Sequence, residues 1–118
     1  MINEEFFLKI SEYNVSIYDR DPVSYIIKND QIVINGEEIK GDVTDKINRI
    51  KNIINSKKEE IETISSSRQS NYKGGRQQLL SIKLNEKKYI IVGNTDNKDG
   101  VQLYSDIKEA IKKIINED

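Results

Sequence analysis

Gln31-Ile32-Val33-Ile34-Asn35-Gly36-Glu37-Glu38-Ile39 is the stretch that decides the fold class. An Asn-Gly pair readily takes the two positive φ values of a type I′ turn, so the runs flanking it pair as a β-hairpin. Immediately upstream, Val23-Ser24-Tyr25-Ile26-Ile27 has the β-branched and aromatic content of another strand. Asn29-Asp30 supplies a turn between the two. Asp19-Arg20-Asp21-Pro22 holds the only proline and punctuates the chain before this unit.

Downstream of the hairpin the period changes. Ile47, Ile50, Ile54, Ile61 and Ile64 recur at three-, four- and seven-residue steps, which predicts one helix over residues 45–64 with Thr44 or Asp42 at its start. Lys57 interrupts the apolar stripe once. Such a helix is about 30 Å long and crosses a small sheet from end to end. Residues 65–76 read as a loop. Leu80, Ile82 and Leu84 alternate, Asn85-Glu86-Lys87-Lys88 turns, and Tyr89-Ile90-Ile91-Val92 returns, which makes a second hairpin. Asn94 to Gly100 reads as a polar loop. Ser105 is expected to cap a last helix with Ile107, Ile111, Ile114 and Ile115 facing inward.

Upstream of Val23 two patterns compete. Phe6, Leu8 and Ile10 alternate, as do Tyr13, Val15 and Ile17, but the parity changes at Ser11-Glu12, so one long strand would need a bulge there. Asn3 followed by Glu4 and Glu5 instead suits the start of a helix. The favoured expectation is a short helix over residues 3–12 and a strand at 14–18. The whole chain, residues 1–118, is then a single α+β domain. Its sheet is small, largely antiparallel and built from β-hairpins, with a long central helix and a C-terminal helix packed on one face.

Composition excludes several chemistries. The 118 residues include no cysteine, histidine or tryptophan, and Met1 is the only methionine. There is therefore no disulfide, thiolate nucleophile, His-based triad or Cys/His metal site, and general acid–base work would fall to carboxylates, Lys or Tyr. The phosphate-loop, dinucleotide and nucleophile-elbow patterns are all missing. We expect no enzyme, no cofactor and no metal. Glu4, Glu5, Lys9 and Glu12 make the N-terminus unlike a signal peptide, and no apolar run is long enough for a bilayer, so a cytoplasmic chain without a membrane partner is expected. The abundance of Ile, Lys and Asn, all with AT-rich codons, fits a low-GC bacterial or phage gene.

The charge is segregated along the chain. Residues 1–45 carry net −6, residues 46–95 net +7 and residues 96–118 net −2. Five of the eight aromatics, Phe6, Phe7, Tyr13, Tyr18 and Tyr25, fall in the acidic first part. Tyr18, Asp19, Asp21, Glu37 and Glu38 are therefore the candidate partner-binding residues. Tyrosine offers a rigid contact surface with a polar tip, and the carboxylates would steer a basic partner such as a nuclease. The second candidate set is Arg68, Tyr72, Lys73 and Arg76. These residues sit with Gly74-Gly75 in a loop able to approach phosphates and stack on a base, with Lys83, Lys87 and Lys88 close in sequence. Thr95-Asp96-Asn97-Lys98-Asp99-Gly100 has the look of a calcium loop, but Thr95 stands where Asp belongs and Leu103 where an oxygen ligand belongs, so it is rejected.

This profile, a small Cys-free α+β chain without catalytic motifs, is similar to that of bacterial immunity proteins that neutralise toxins, and to small phage-encoded inhibitors of host defence. The resemblance implies a stoichiometric inhibitor that occludes a toxin domain, or alternatively a defence protein, and assigns no site residue. A small nucleic-acid-binding module is the other alternative. Either a monomer or a homodimer paired through hairpin edges fits.

Overall fold

Alternating apolar residues from the two halves of the chain meet in one sheet. The computed structural model describes residues 5–14, 23–67, 76–93 and 97–117. Six strands, β1 (Phe6–Asn14), β2 (Val23–Lys28), β3 (Ile32–Ile34), β4 (Glu37–Glu38), β5 (Arg76–Leu84) and β6 (Lys87–Gly93), lie in the order β4-β3-β2-β1-β5-β6. Every neighbouring pair is antiparallel. Three helices, α1 (Thr44–Ser56), α2 (Lys58–Ser66) and α3 (Lys98–Asn116), complete the α+β fold.

The Asn-Gly turn forms as its sequence dictates. Asn35 and Gly36 have φ of 50° and 85°. The Asn35 amide also stitches the turn to β2: its N–H donates to Ser24 O at 2.7 Å, and its Oδ1 accepts the Ser24 N–H at 2.9 Å. The second hairpin turns on Asn85 (φ 56°) and Glu86 alone, and Lys87 and Lys88 are already part of β6. Asn85 clasps the start of β1 through its N–H to Glu5 O at 2.7 Å and the Glu5 N–H to its Oδ1 at 3.0 Å.

The N-terminal helix expected over residues 3–12 does not form across the described part of that range. Residues 6–14 are β1, the strand that joins the two hairpin units. No bulge is needed, because β1 and β5 pair one-to-one from Phe6↔Leu84 to Asn14↔Arg76. The parity change has another cause. Beyond Ile10 the inward-facing position is Glu12, a polar residue matched by Gln78 across the strand pair. Residues 15–18 of the other expected strand lie outside the described residues.

The single helix expected over 45–64 is two. The break falls at Lys57 (φ −107°, ψ 12°), the residue that interrupts the apolar stripe. Ile47, Ile50 and Ile54 of α1 and Ile61 of α2 are buried. Asp42 supports the start of α1 by accepting the Thr44 N–H at 3.0 Å, and bonding to that N–H and to the Thr44 hydroxyl holds its carboxyl below the usual range.

α3 begins seven residues before Ser105, which is an exposed mid-helix residue instead of a cap. Gly100 explains the early start. It is buried, and a Cβ there would lie 2.2 Å from Val92 O, so the first turn of α3 rests directly on the β6 backbone. The stripe then runs Gly100, Leu103, Tyr104, Ile107, Ile111 and Ile114. At the far end, Lys46 donates to the carbonyls of Ile115 (2.9 Å) and Glu117 (2.8 Å), and Arg49 makes a two-pronged pair with the Glu117 carboxylate. Cations on α1 thus satisfy carbonyls that a helix C-terminus leaves open.

The core lies between one sheet face and the helices. Phe6, Leu8 and Ile10 of β1, Ile27, Ile32, Leu80, Ile82, Tyr89 and Ile91 point into it from the strands. Full burial of each aliphatic side chain contributes about 1.5–3 kcal/mol. No helix among the described residues is long and apolar enough to cross a membrane.

Candidate functional site

Strand alternation fixes the other face of the sheet. With Leu8, Ile27, Ile32, Ile82 and Tyr89 inward, their neighbours must point outward. The registers place Lys28, Phe7, Lys83 and Lys88 in one row across β2, β1, β5 and β6. The adjacent row reads Val33, Ile26, Lys9, Ser81 and Ile90, with Glu38 beyond Val33. Phe7, Ile26 and Val33 are half-buried, Ile90 is 42% exposed, and Lys9, Lys28 and Lys88 are exposed. Lys83 pairs with Glu5 at 3.1 Å. Lys9, Lys28 and Lys88 have no acidic partner among the described residues. Two residues further along the strands the same face turns apolar, with Leu79 beside a buried Val92.

Both edges of this sheet are guarded. β4 is two exposed glutamates long. At β6 the outward Ile90 N–H donates to Ser65 Oγ of α2 at 3.1 Å. A short charged edge and an occupied main-chain donor both discourage pairing with another strand.

Inside the fold, at the end of the sheet away from the Asn85-Glu86 turn, Glu12, Gln78 and Lys108 form a polar cluster. Gln78 Nε2 donates to Glu12 Oε1 at 2.7 Å, and Lys108 Nζ lies 3.9 Å from Glu12 Oε2. The Glu12 and Lys108 side chains are 13% and 19% exposed. Lys108 also lies 5.8 Å from the centre of the Tyr104 ring. This arrangement holds a carboxylate between a neutral donor and a cation, where it is already engaged from two sides and serves to close the core's polar end.

A cleft of about 640 Å3 lies beside the Asn85-Glu86 turn between Glu5, Lys58, Leu84, Asn85, Glu86, Lys87 and Tyr89. Its charges are mixed, with Glu5 and Glu86 beside Lys58 and Lys87. Tyr89 at its rim donates to Glu62 Oε1 at 3.2 Å, and burial, with that carboxylate beside it, pushes its phenol above the ordinary value of 10.0. Glu59 and Glu60, its neighbours on α2, face solvent. Among the described residues no three carboxylates converge as a metal site. Residues 98–106 of the rejected calcium loop are helical.

Of the expected partner-binding residues, Glu37 and Glu38 stand exposed on the edge strand β4, while Tyr18, Asp19 and Asp21 lie outside the described residues. Of the second set, Arg76 opens β5, and Arg68, Tyr72 and Lys73 lie outside the described residues. The outward rows around Phe7 escaped the sequence reading, because they depend on which strands are neighbours. No family model, curated protein or solved structure matches this chain.

Proposed function

We propose that the chain is a stoichiometric protein-binding inhibitor, of the kind that renders a bacterial toxin domain harmless to its producer. The observation that supports this reading is the sheet face opposite the described helices. The described helices gather on one side, leaving Phe7, Ile26, Val33 and Ile90 as an apolar surface rimmed by charge on the other. Interfaces pair a desolvated apolar centre with a polar rim, and the outward rows of this sheet carry residues of both kinds. A phage-encoded inhibitor of a host defence protein uses the same physics and differs only in the target.

The test is to recover the full-length chain with its partner from source cells, establish a one-to-one complex by native mass spectrometry, and titrate the partner's activity with purified chain. The expected result is loss of activity complete at one equivalent. Failure to recover a stable partner, or partner activity unchanged at saturation, refutes the reading. Alanine substitutions at Tyr18, Asp19, Asp21, Glu37 and Glu38 then test whether the acidic set contributes to the contact.

A further inference from the structure

We infer that the sheet face opposite the described helices docks an acidic protein surface, with Lys9, Lys28 and Lys88 meeting carboxylates around an apolar contact made by Phe7, Ile26 and Val33. This inference rests on the inhibitor reading and specifies the chemistry of the partner.

The geometry carries it. Neighbouring strands are about 4.8 Å apart, so the row Lys28–Phe7–Lys83–Lys88 spans about 14 Å, and Lys9 lies about 7 Å from Phe7 along β1. All four lysines therefore fall within roughly a Debye length or two at physiological salt and act on a partner as one positive field. Lys83 is neutralised by Glu5, which leaves three ammonium groups without an acidic partner among the described residues. The only carboxylate in the two mapped rows is Glu38, at the far edge. Such a field favours an anionic partner and repels a basic one, so it points away from a basic nuclease on this face.

The apolar residues decide which anion. A nucleic acid held on a sheet needs aromatic rings on which bases stack. In the two mapped rows Phe7 is the one aromatic side chain, and its neighbours Ile26, Val33 and Ile90 are aliphatic. Aliphatic side chains flanked by lysines complement a protein surface that is itself apolar in the middle and acidic at the rim.

The test uses the isotope-labelled full chain and two probes followed by backbone chemical shifts. One is a synthetic amphipathic helical peptide with Leu on one side and Asp and Glu on the other, and the second is an oligothymidylate. The peptide is expected to shift Phe7, Lys9, Ile26, Lys28 and Val33 saturably and to leave α1 untouched. The triple variant K9E/K28E/K88E is expected to weaken that binding at least about tenfold, and K9Q/K28Q/K88Q by less. All three sites are exposed, and the dispersion of the spectrum reports that the variants fold. Three results would overturn the inference: no response to the peptide, a response unchanged by charge reversal, or the oligothymidylate engaging the same residues at lower concentration. The last would assign the face to nucleic acid. A partner recovered from cells that binds the wild type and the triple variant equally sinks this inference and leaves the inhibitor reading standing. Absence of any such partner sinks the inhibitor reading, and the titration still decides the face.

Discussion

Gly100→Ala should destabilise the protein, although glycine-to-alanine inside a helix is ordinarily favourable. A Cβ at position 100 would sit 2.2 Å from Val92 O and 3.1 Å from Val92 C. A carbon and a carbonyl oxygen in contact normally keep about 3.3 Å apart. The first turn of α3 must therefore withdraw by about 1 Å. A gap of that size forfeits a quarter to a half of the dispersion attraction across it. The loss falls on Leu103 and Tyr104, both buried on the same stripe. Overpacking of this kind costs about 3 kcal/mol, and the helix preference for Ala returns at most about 1 kcal/mol. The net expectation is a destabilisation of about 2 kcal/mol, which for a chain of this length lowers Tm by about 8 °C. Urea unfolding followed by far-UV circular dichroism, with tyrosine fluorescence as a second probe, measures it. Ser105→Ala, exposed on the same helix, serves as the control and should gain a few tenths of a kcal/mol. A Gly100→Ala protein as stable as the wild type, or more so, would refute the close approach of α3 to β6 and with it the reason given for the early start of that helix.

Three further outcomes are expected. Glu12→Ala leaves Gln78 Nε2 and the half-buried Lys108 without their acceptor and should cost about 1–3 kcal/mol in urea. Glu12→Gln, which keeps an acceptor for Gln78, should cost less. The raised phenol of Tyr89 means that the folded state holds this proton more tightly than the unfolded chain. Its stabilising contribution is complete below pH 10.0, the ordinary value, and is lost as pH climbs through the higher folded value. Tyr89→Phe should therefore flatten stability above pH 10, and a steep alkaline loss persisting in that variant would contradict the assignment. Glu117 behaves in the opposite sense, because its hydrogen bond to Arg49 lowers its carboxyl below the ordinary 4.5. The contribution is present above that pH and fades as pH falls through the folded value, so Glu117→Gln should reduce the acid sensitivity of melting at low salt and matter little at high salt.

The turns were legible because their chemistry is local. Asn35-Gly36 and Asn85 write their backbone angles into side-chain type, and each lies where the residues alone put it. The helical stripe was equally readable, and the lysine that breaks it marks where α1 gives way to α2. The errors arose where a residue serves a distant partner. Glu12 interrupts the alternation of β1 in order to meet Gln78, 66 positions away, so the strand looked like the end of a helix. Gly100 looked like a loop residue because its reason for being small is the backbone of β6, not anything in its own helix. The lysines around Phe7 were scattered through two regions of opposite net charge, and only the position of β1 between β2 and β5 assembles them. Sheet order is a non-local property, and no window along the chain contains it.

The guarded borders of the sheet limit how anything can approach it. A molecule seeking to extend the sheet by backbone pairing meets two glutamates on one side and a serine hydroxyl already engaged on the other. The broad outward face, presented through side chains, is the surface left open to contact by these borders. The outward positions can be replaced while the inward pattern stays intact, so the chemistry of that face can vary by point substitution while the architecture stays constant.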